Sequence, residues 1–177
     1  MEEDLVSNSG ELRHKAWSRL KSLGIVQLTT CDRRGRLQSR PLAIQQAEVE
    51  GVLWFFVART SDIAAEVERH PRVNACCMDV DDGFYVSVSG SARLVHDKAM
   101  ARDLWNSTSN AWFPGGVDDP ELTLLKIAVD HAEVWSTDSN RMVRFFSVAT
   151  AALLGSKPLG AVQHATRMQV NQTGGFQ

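Results

Sequence analysis

The sequence predicts a mainly β domain with short helices, built as an antiparallel barrel of about six strands. Three observations carry this. Six β-rich runs follow one another through turns and short helices, without the regular strand-helix alternation that builds a parallel sheet. The run Phe84 to Leu94 has strict period two, with Phe84, Val86, Val88, Gly90, Ala92 and Leu94 on one face and Tyr85, Ser87, Ser89, Ser91 and Arg93 on the other. In the last run Leu125, Ile127 and Val129 are in phase, but the pattern resumes at Ala132 and Val134. That slip of one places a bulge near Asp130-His131, where a small barrel bends.

The elements follow in order. Leu12, Ala16, Leu20 and Leu23 recur at helical spacing, so an amphipathic helix is expected over about 10–23, stopped by Gly24. Ile25 to Cys31 is the first strand, and Asp32 to Gly35 turns it into a second over Leu37 to Ile44. Val52 to Val57 is apolar throughout, as in a strand covered on both faces. Thr60 or Ser61 caps a short helix, Asp62 to Arg69, which ends before Pro71. Strand Arg72 to Met78 and the turn Asp79 to Gly83 lead into the alternating strand. Asp97 caps a helix to about Asn106, Ser107 to Pro120 is a loop, and Thr123 to Ser136 is the last strand. An apolar stretch, Phe145 to Leu154, precedes a tail expected to fray over about 168–177.

Composition narrows the function. The chain has 177 residues, 44% apolar and 23% charged, which suits one globular domain spanning 1–177. Nineteen Lys and Arg against 21 Asp and Glu leave a formal charge of −2, so no basic field favours nucleic acid or an anionic membrane. The longest strongly apolar run, Val52 to Ala58, is far short of the ~20 residues of a membrane-spanning helix. The acidic start, MEEDLVSNSG, lacks a secretory pattern, and a cytoplasmic location is expected. Cys31, Cys76 and Cys77 form no CxxC, and no metal site is expected. The GxGxxG, GxxxxGK[ST], HExxH and GxSxG patterns are also missing, so the chemistry is expected to come from a cofactor.

Several weak motifs then fall in a recognisable order. They are Ser39-Arg40-Pro41-Leu42, Leu53-Trp54-Phe55-Phe56, Ser61 with its helix to His70-Pro71-Arg72-Val73, and Tyr85 to Ala92. Asp97, Leu104-Trp105, Trp112 to Gly116, Asp119-Pro120 and Ala132 to Trp135 follow. From about residue 11 to about 150 the chain resembles the general stress protein 26 branch of the pyridoxamine 5′-phosphate oxidase-like FMN-binding split barrels. The resemblance implies a six-stranded split barrel, a homodimer with FMN bound between subunits, a small-molecule redox substrate, and a flavin-dependent oxidoreductase linked to stress response. It leaves open a non-catalytic flavin-binding or sequestering protein, or a split barrel using a deazaflavin.

Carried over residue by residue, the resemblance implies that Arg40 meets the flavin phosphate and that Ser39, Pro41 and Leu42 form the strand under the ring. A guanidinium is suited to forking onto phosphate. Without the resemblance, an exposed strand arginine before an edge proline is the simpler reading. Phe56, Val57, Arg59, Thr60 and Ser61 fall in the segment that meets the phosphate in relatives. Relatives carry a lysine where this chain has Ile63, and Ile63→Lys at an exposed helix start is expected to strengthen FMN binding. Trp112, Phe113 and Trp135 match positions that approach the partner's flavin. Trp105 is expected to serve core or dimer packing, and the alternating strand's hydroxyl face suits either solvent or an interface. No residue stands out as a catalytic acid or base.

Overall fold

The structure is a computed structural model that describes residues 14, 16–48 and 51–136, and the backbone alone of 165–169. Helix α1 (16–23) leads into strands β1 (Ile25–Cys31), β2 (Leu37–Glu48) and β3 (Val52–Ala58), then helix α2 (Asp62–Arg69). Strands β4 (Arg72–Asp79) and β5 (Phe84–Val95), helix α3 (Lys98–Leu104), two 3₁₀ turns, and strands β6 (Leu122–Ser136) and β7 (Ala165–Gln169) complete the order. The sheet runs β3-β2-β1-β4-β5-β6-β7, and an additional β3–β6 pairing closes its first six strands into an antiparallel barrel. Among the described residues no helix is long and apolar enough to cross a membrane.

Alternation along the strands fills the barrel. Val26 and Leu28 of β1, Val73 and Ala75 of β4, Val86 and Val88 of β5, and Leu125 and Ile127 of β6 all point inward. The α1 residues Ala16, Trp17 and Leu20 cover this core. The continuously apolar β3 serves two cores at once. Leu53, Phe55 and Val57 enter the barrel, while Trp54 and Phe56 join a second cluster with Ala101, Leu104, Phe113 and Leu124. That is why β3 shows no period of two.

The expected bulge is present. Ser89 faces His131 and Gly90 faces Val129, which leaves Asp130 as the extra residue of β6. The strand approaches so closely there that a Cβ on Gly90 would lie 2.2 Å from the Ala128 carbonyl oxygen. The buried phase then runs through Leu125, Ile127 and Val129 and resumes at Ala132 and Val134.

Some expectations are corrected. Strand β2 continues past Ile44 to Glu48, because a register shift between Ile44 and Gln46 absorbs Gln45 and lets the strand pair onward with β3. Helix α3 stops at Leu104, since Trp105 is extended, and Asn106 caps a 3₁₀ turn over Ser107–Ala111 by accepting from the Thr108 and Ser109 N–H groups. Gly116–Asp118 forms a second such turn within the expected loop. Strand β7 was not expected, and it takes in Met168 and Gln169, assigned above to a fraying tail. The Phe145 to Leu154 stretch and residues 170–177 lie outside the described residues.

Candidate functional site

The site is organised by a strand that parts from its neighbour. Along Leu37 to Ala43, β2 pairs with β1, but its pairing with β3 begins only at Ile44. Among the described residues, one edge of the Leu37–Ala43 segment therefore has no strand beside it. Ser39 and Pro41 sit exposed on the outer face of this segment, and Leu42 packs against the core on the other. Pro41 brings no N–H, which a strand tolerates where an edge is open.

Arg40 points the same way as Leu42, beneath α2. That helix is amphipathic: Ser61 caps it by accepting from the Ala64 N–H, and Ile63, Ala64 and Val67 face inward. Glu66 lies on the same face, one turn from Ile63, and is also buried. A buried carboxylate is costly unless it is paired and hydrogen-bonded. Here the Thr30 hydroxyl donates to Glu66 Oε2 at 2.5 Å and Arg40 Nη1 donates to the same oxygen at 2.8 Å. Arg40 Nη1 also donates to Thr30 Oγ1 at 3.2 Å. Burial pushes the Glu66 carboxyl up, yet the Arg40 and Thr30 hydrogen bonds outweigh it and hold the group below its ordinary range.

Thr30 and Glu66 were missed in the sequence. Their signal was there, because a glutamate in the 63–64–67 apolar stripe of a short helix is an anomaly that asks for a partner. Nearby, Asp32 closes the β1–β2 turn. It accepts from the Arg36 and Arg34 backbone N–H groups and pairs with the Arg36 side chain at 2.8 Å. The Arg36 N–H contributes most to holding its carboxyl down at about 2, against the opposing effect of burial.

The other expected site residues divide into groups. Arg59 and Thr60 line a cleft of about 330 Å³ with Glu68, Leu94, His96, Pro120 and Glu121, none of them from β2. The Thr60 hydroxyl donates to Glu121 at 2.6 Å, and the Ser61 hydroxyl donates to the Ala58 carbonyl at 2.6 Å. Phe56 and Val57 are buried on opposite faces of β3, so only their backbone is open to a ligand. Phe113 is corrected from an interface aromatic to a core one: it packs edge-on against Phe56, 6.4 Å between ring centres. Trp105 is 5.5 Å from Phe56, in keeping with its expected packing role. Trp112 is 78% exposed, as a loop aromatic outside the core should be. Ile63 is corrected as well. It is only 9% exposed within the main core, because the first turn of α2 lies flat on the barrel.

The outer face of the sheet is a polar lattice. Ser39, Thr29, Asn74, Ser89 and His131 lie in register across five strands. Asn74 Nδ2 donates to Ser87 Oγ at 2.8 Å and to Ser89 Oγ at 3.1 Å. Tyr85 and Trp135 pair beside it, both half-buried. The same face carries Ile25, Leu37 and Met78, all large, apolar and exposed. Among the described residues no three His, Cys, Asp or Glu side chains gather as a metal site. Burial, with smaller contributions from Cys76 and Asp79, pushes the Cys77 thiol up to about 11, away from nucleophilic use.

A family model described as pyridoxamine 5′-phosphate oxidase like matches residues 11–158. The general stress FMN/FAD binding protein of Xanthomonas citri is 34% identical, with 73% of this chain and 92% of that one aligned at a TM-score of 0.65. A general stress protein 26 structure from Jannaschia sp. CCS1 is 24% identical over 90% of this chain and 98% of that one, TM-score 0.67, a likeness of fold. Protein bli-3 of Neurospora crassa is 26% identical over 138 residues, 72% of this chain, and the chain spans 66% of that relative's length.

Proposed function

The chain belongs to the pyridoxamine 5′-phosphate oxidase like family, and from that premise we propose that it is a flavin-binding split-barrel protein, working as a homodimer, with a flavin-dependent oxidoreductase activity toward a small-molecule substrate. One observation carries the reading: the open edge of β2 at Ser39 to Leu42, where backbone groups and the flat Pro41 are available to a heteroaromatic ring. The 34% identical relative from Xanthomonas citri is itself described as FMN/FAD binding. A flavin supplies hydride chemistry, and this chain's part is to hold and orient the ring, since the site offers no side chain poised as a nucleophile beside a base.

The dimer reading rests on the outer face. Exposed Ile25, Leu37 and Met78 frame a lattice of hydroxyls and amides, the pattern of an interface with apolar anchors among satisfied polar groups. Trp135, paired with Tyr85, and the exposed Trp112 are the aromatics we assign to the two-subunit site.

The test is the visible absorption spectrum of the purified protein, with mass identification of what is released on denaturation, alongside light scattering. Bound flavin and a particle of twice 19.6 kDa are expected. A colourless protein that takes up no added flavin overturns the binding reading, and a particle of 19.6 kDa overturns the two-subunit site. Bound flavin that no reduced nicotinamide or other donor reduces would remove the oxidoreductase assignment and leave a binding protein.

A further inference from the structure

The phosphate of a flavin nucleotide is a dianion, and the residues that would receive it are already committed. Arg40 is a cation of the ring-bearing strand itself, and its Nη1 is held by the Glu66 carboxylate at 2.8 Å and by Thr30. The carboxylate is buried at 9% side-chain exposure and the guanidinium is about a quarter exposed at 26%. A dianion drawn to the remaining N–H groups of Arg40 meets a carboxylate on the same guanidinium, so the local charge it sees is close to zero. The Ile63 side chain, at the start of α2, is apolar and faces the core, and Arg59 lines a cleft with the carboxylates of Glu68 and Glu121, which offset its charge. Ser61 Oγ donates to Ala58 and receives the Ala64 N–H, while Thr60 Oγ1 donates to Glu121. The first turn of α2 brings Asp62, a further negative charge where an anion would need free N–H groups.

The donor set thus fits a ring on β2 and does not fit a firmly held phosphate. Resting on the flavin reading above, we propose that this site recognises the isoalloxazine ring and is indifferent to the phosphate, so that riboflavin and FMN bind on nearly equal terms. Glu66 is the residue that sets this: its carboxylate occupies the cation that a phosphate would otherwise claim. Ligand choice then falls to the strand edge, and availability in the cell decides which flavin is carried.

The experiment is titration of the flavin-free protein with riboflavin and with FMN, followed by quenching of flavin fluorescence, at low and high salt. Expected are dissociation constants within about threefold of each other and an FMN constant that salt hardly moves, because no net ionic attraction is present to be screened. FMN binding tenfold or more tightly than riboflavin, with the advantage lost in salt, overturns the proposal while leaving the flavin reading intact. Binding of neither flavin overturns the flavin reading, and the proposal with it. Glu66→Gln keeps the shape and the Thr30 bond but removes the negative charge. It should shift the preference toward FMN by fivefold or more while riboflavin affinity holds. An unchanged ratio in a folded Glu66→Gln protein rules out Glu66 as the determinant. The salt series on the unaltered protein gives the answer even if that variant fails to fold.

Discussion

Gly90→Ala tests the closure of the barrel. Gly90 sits beside the β6 bulge, and a methyl group there would lie 2.2 Å from the Ala128 carbonyl oxygen, 2.9 Å from its carbon and 2.9 Å from Val129 Cα. All three are backbone atoms in a paired strand, so no side chain can swing away. An ordinary contact would be about 1 Å longer, and β5 or the bulge has to move by that much to relieve the overlap. Overpacking of this kind costs about 1–3 kcal/mol, and the rigid neighbours put Gly90→Ala at the upper end. For a chain of this size each kcal/mol lowers Tm by about 2–4 °C, so a fall of roughly 6–12 °C is expected in a circular dichroism melt. Gly35→Ala is the control, because Gly35 has φ +76° and open space around its would-be Cβ. It suffers only the left-handed backbone penalty of roughly 1–2 kcal/mol. If Gly90→Ala melts at or above the Gly35→Ala protein, the close approach of β5 to β6 is not what fixes the bulge.

Ile63→Lys should destabilise the protein by about 2–4 kcal/mol, because an ammonium is forced where a branched apolar side chain is buried in the core, and thermal melts of the two proteins read the difference directly. Acid should weaken the fold: Glu66 and Asp32 both have lowered folded pKa values, so their stabilisation is whole above the ordinary carboxylate range and is lost as pH falls from about 4.5 toward about 2. Denaturant midpoints that stay flat across that interval would contradict the two ion pairs. A thiol reagent at about pH 8 should label Cys31 and Cys76, which are half-buried, well before Cys77, whose thiol is pushed up to about 11; mass spectrometry of labelled peptides gives the order.

Where periodicity was clean, the sequence determined the structure. β1 and α2 end where turn residues and caps put them, since Gly24, Ser61 and Pro71 act on their immediate neighbours. The bulge was legible because a strand's two-residue period turns a single insertion into a visible phase change. The strand that carries Ser39-Arg40-Pro41-Leu42 was legible too, and so was the arginine on it. What remained hidden was where that arginine points. Thr30, Arg40 and Glu66 are 10, 26 and 36 residues apart from one another along the chain, and only barrel closure under α2 brings their side chains within hydrogen-bond reach. Phe113 read as a loop aromatic because a loop has no period to reveal burial, and only the second apolar cluster on the back of β3 assigns it a place. Local rules fix elements, whereas the charge a ligand meets on β2 depends on a glutamate from another element, buried by the packing of α2 on the barrel and held in its charged form by the Arg40 and Thr30 hydrogen bonds against the effect of burial.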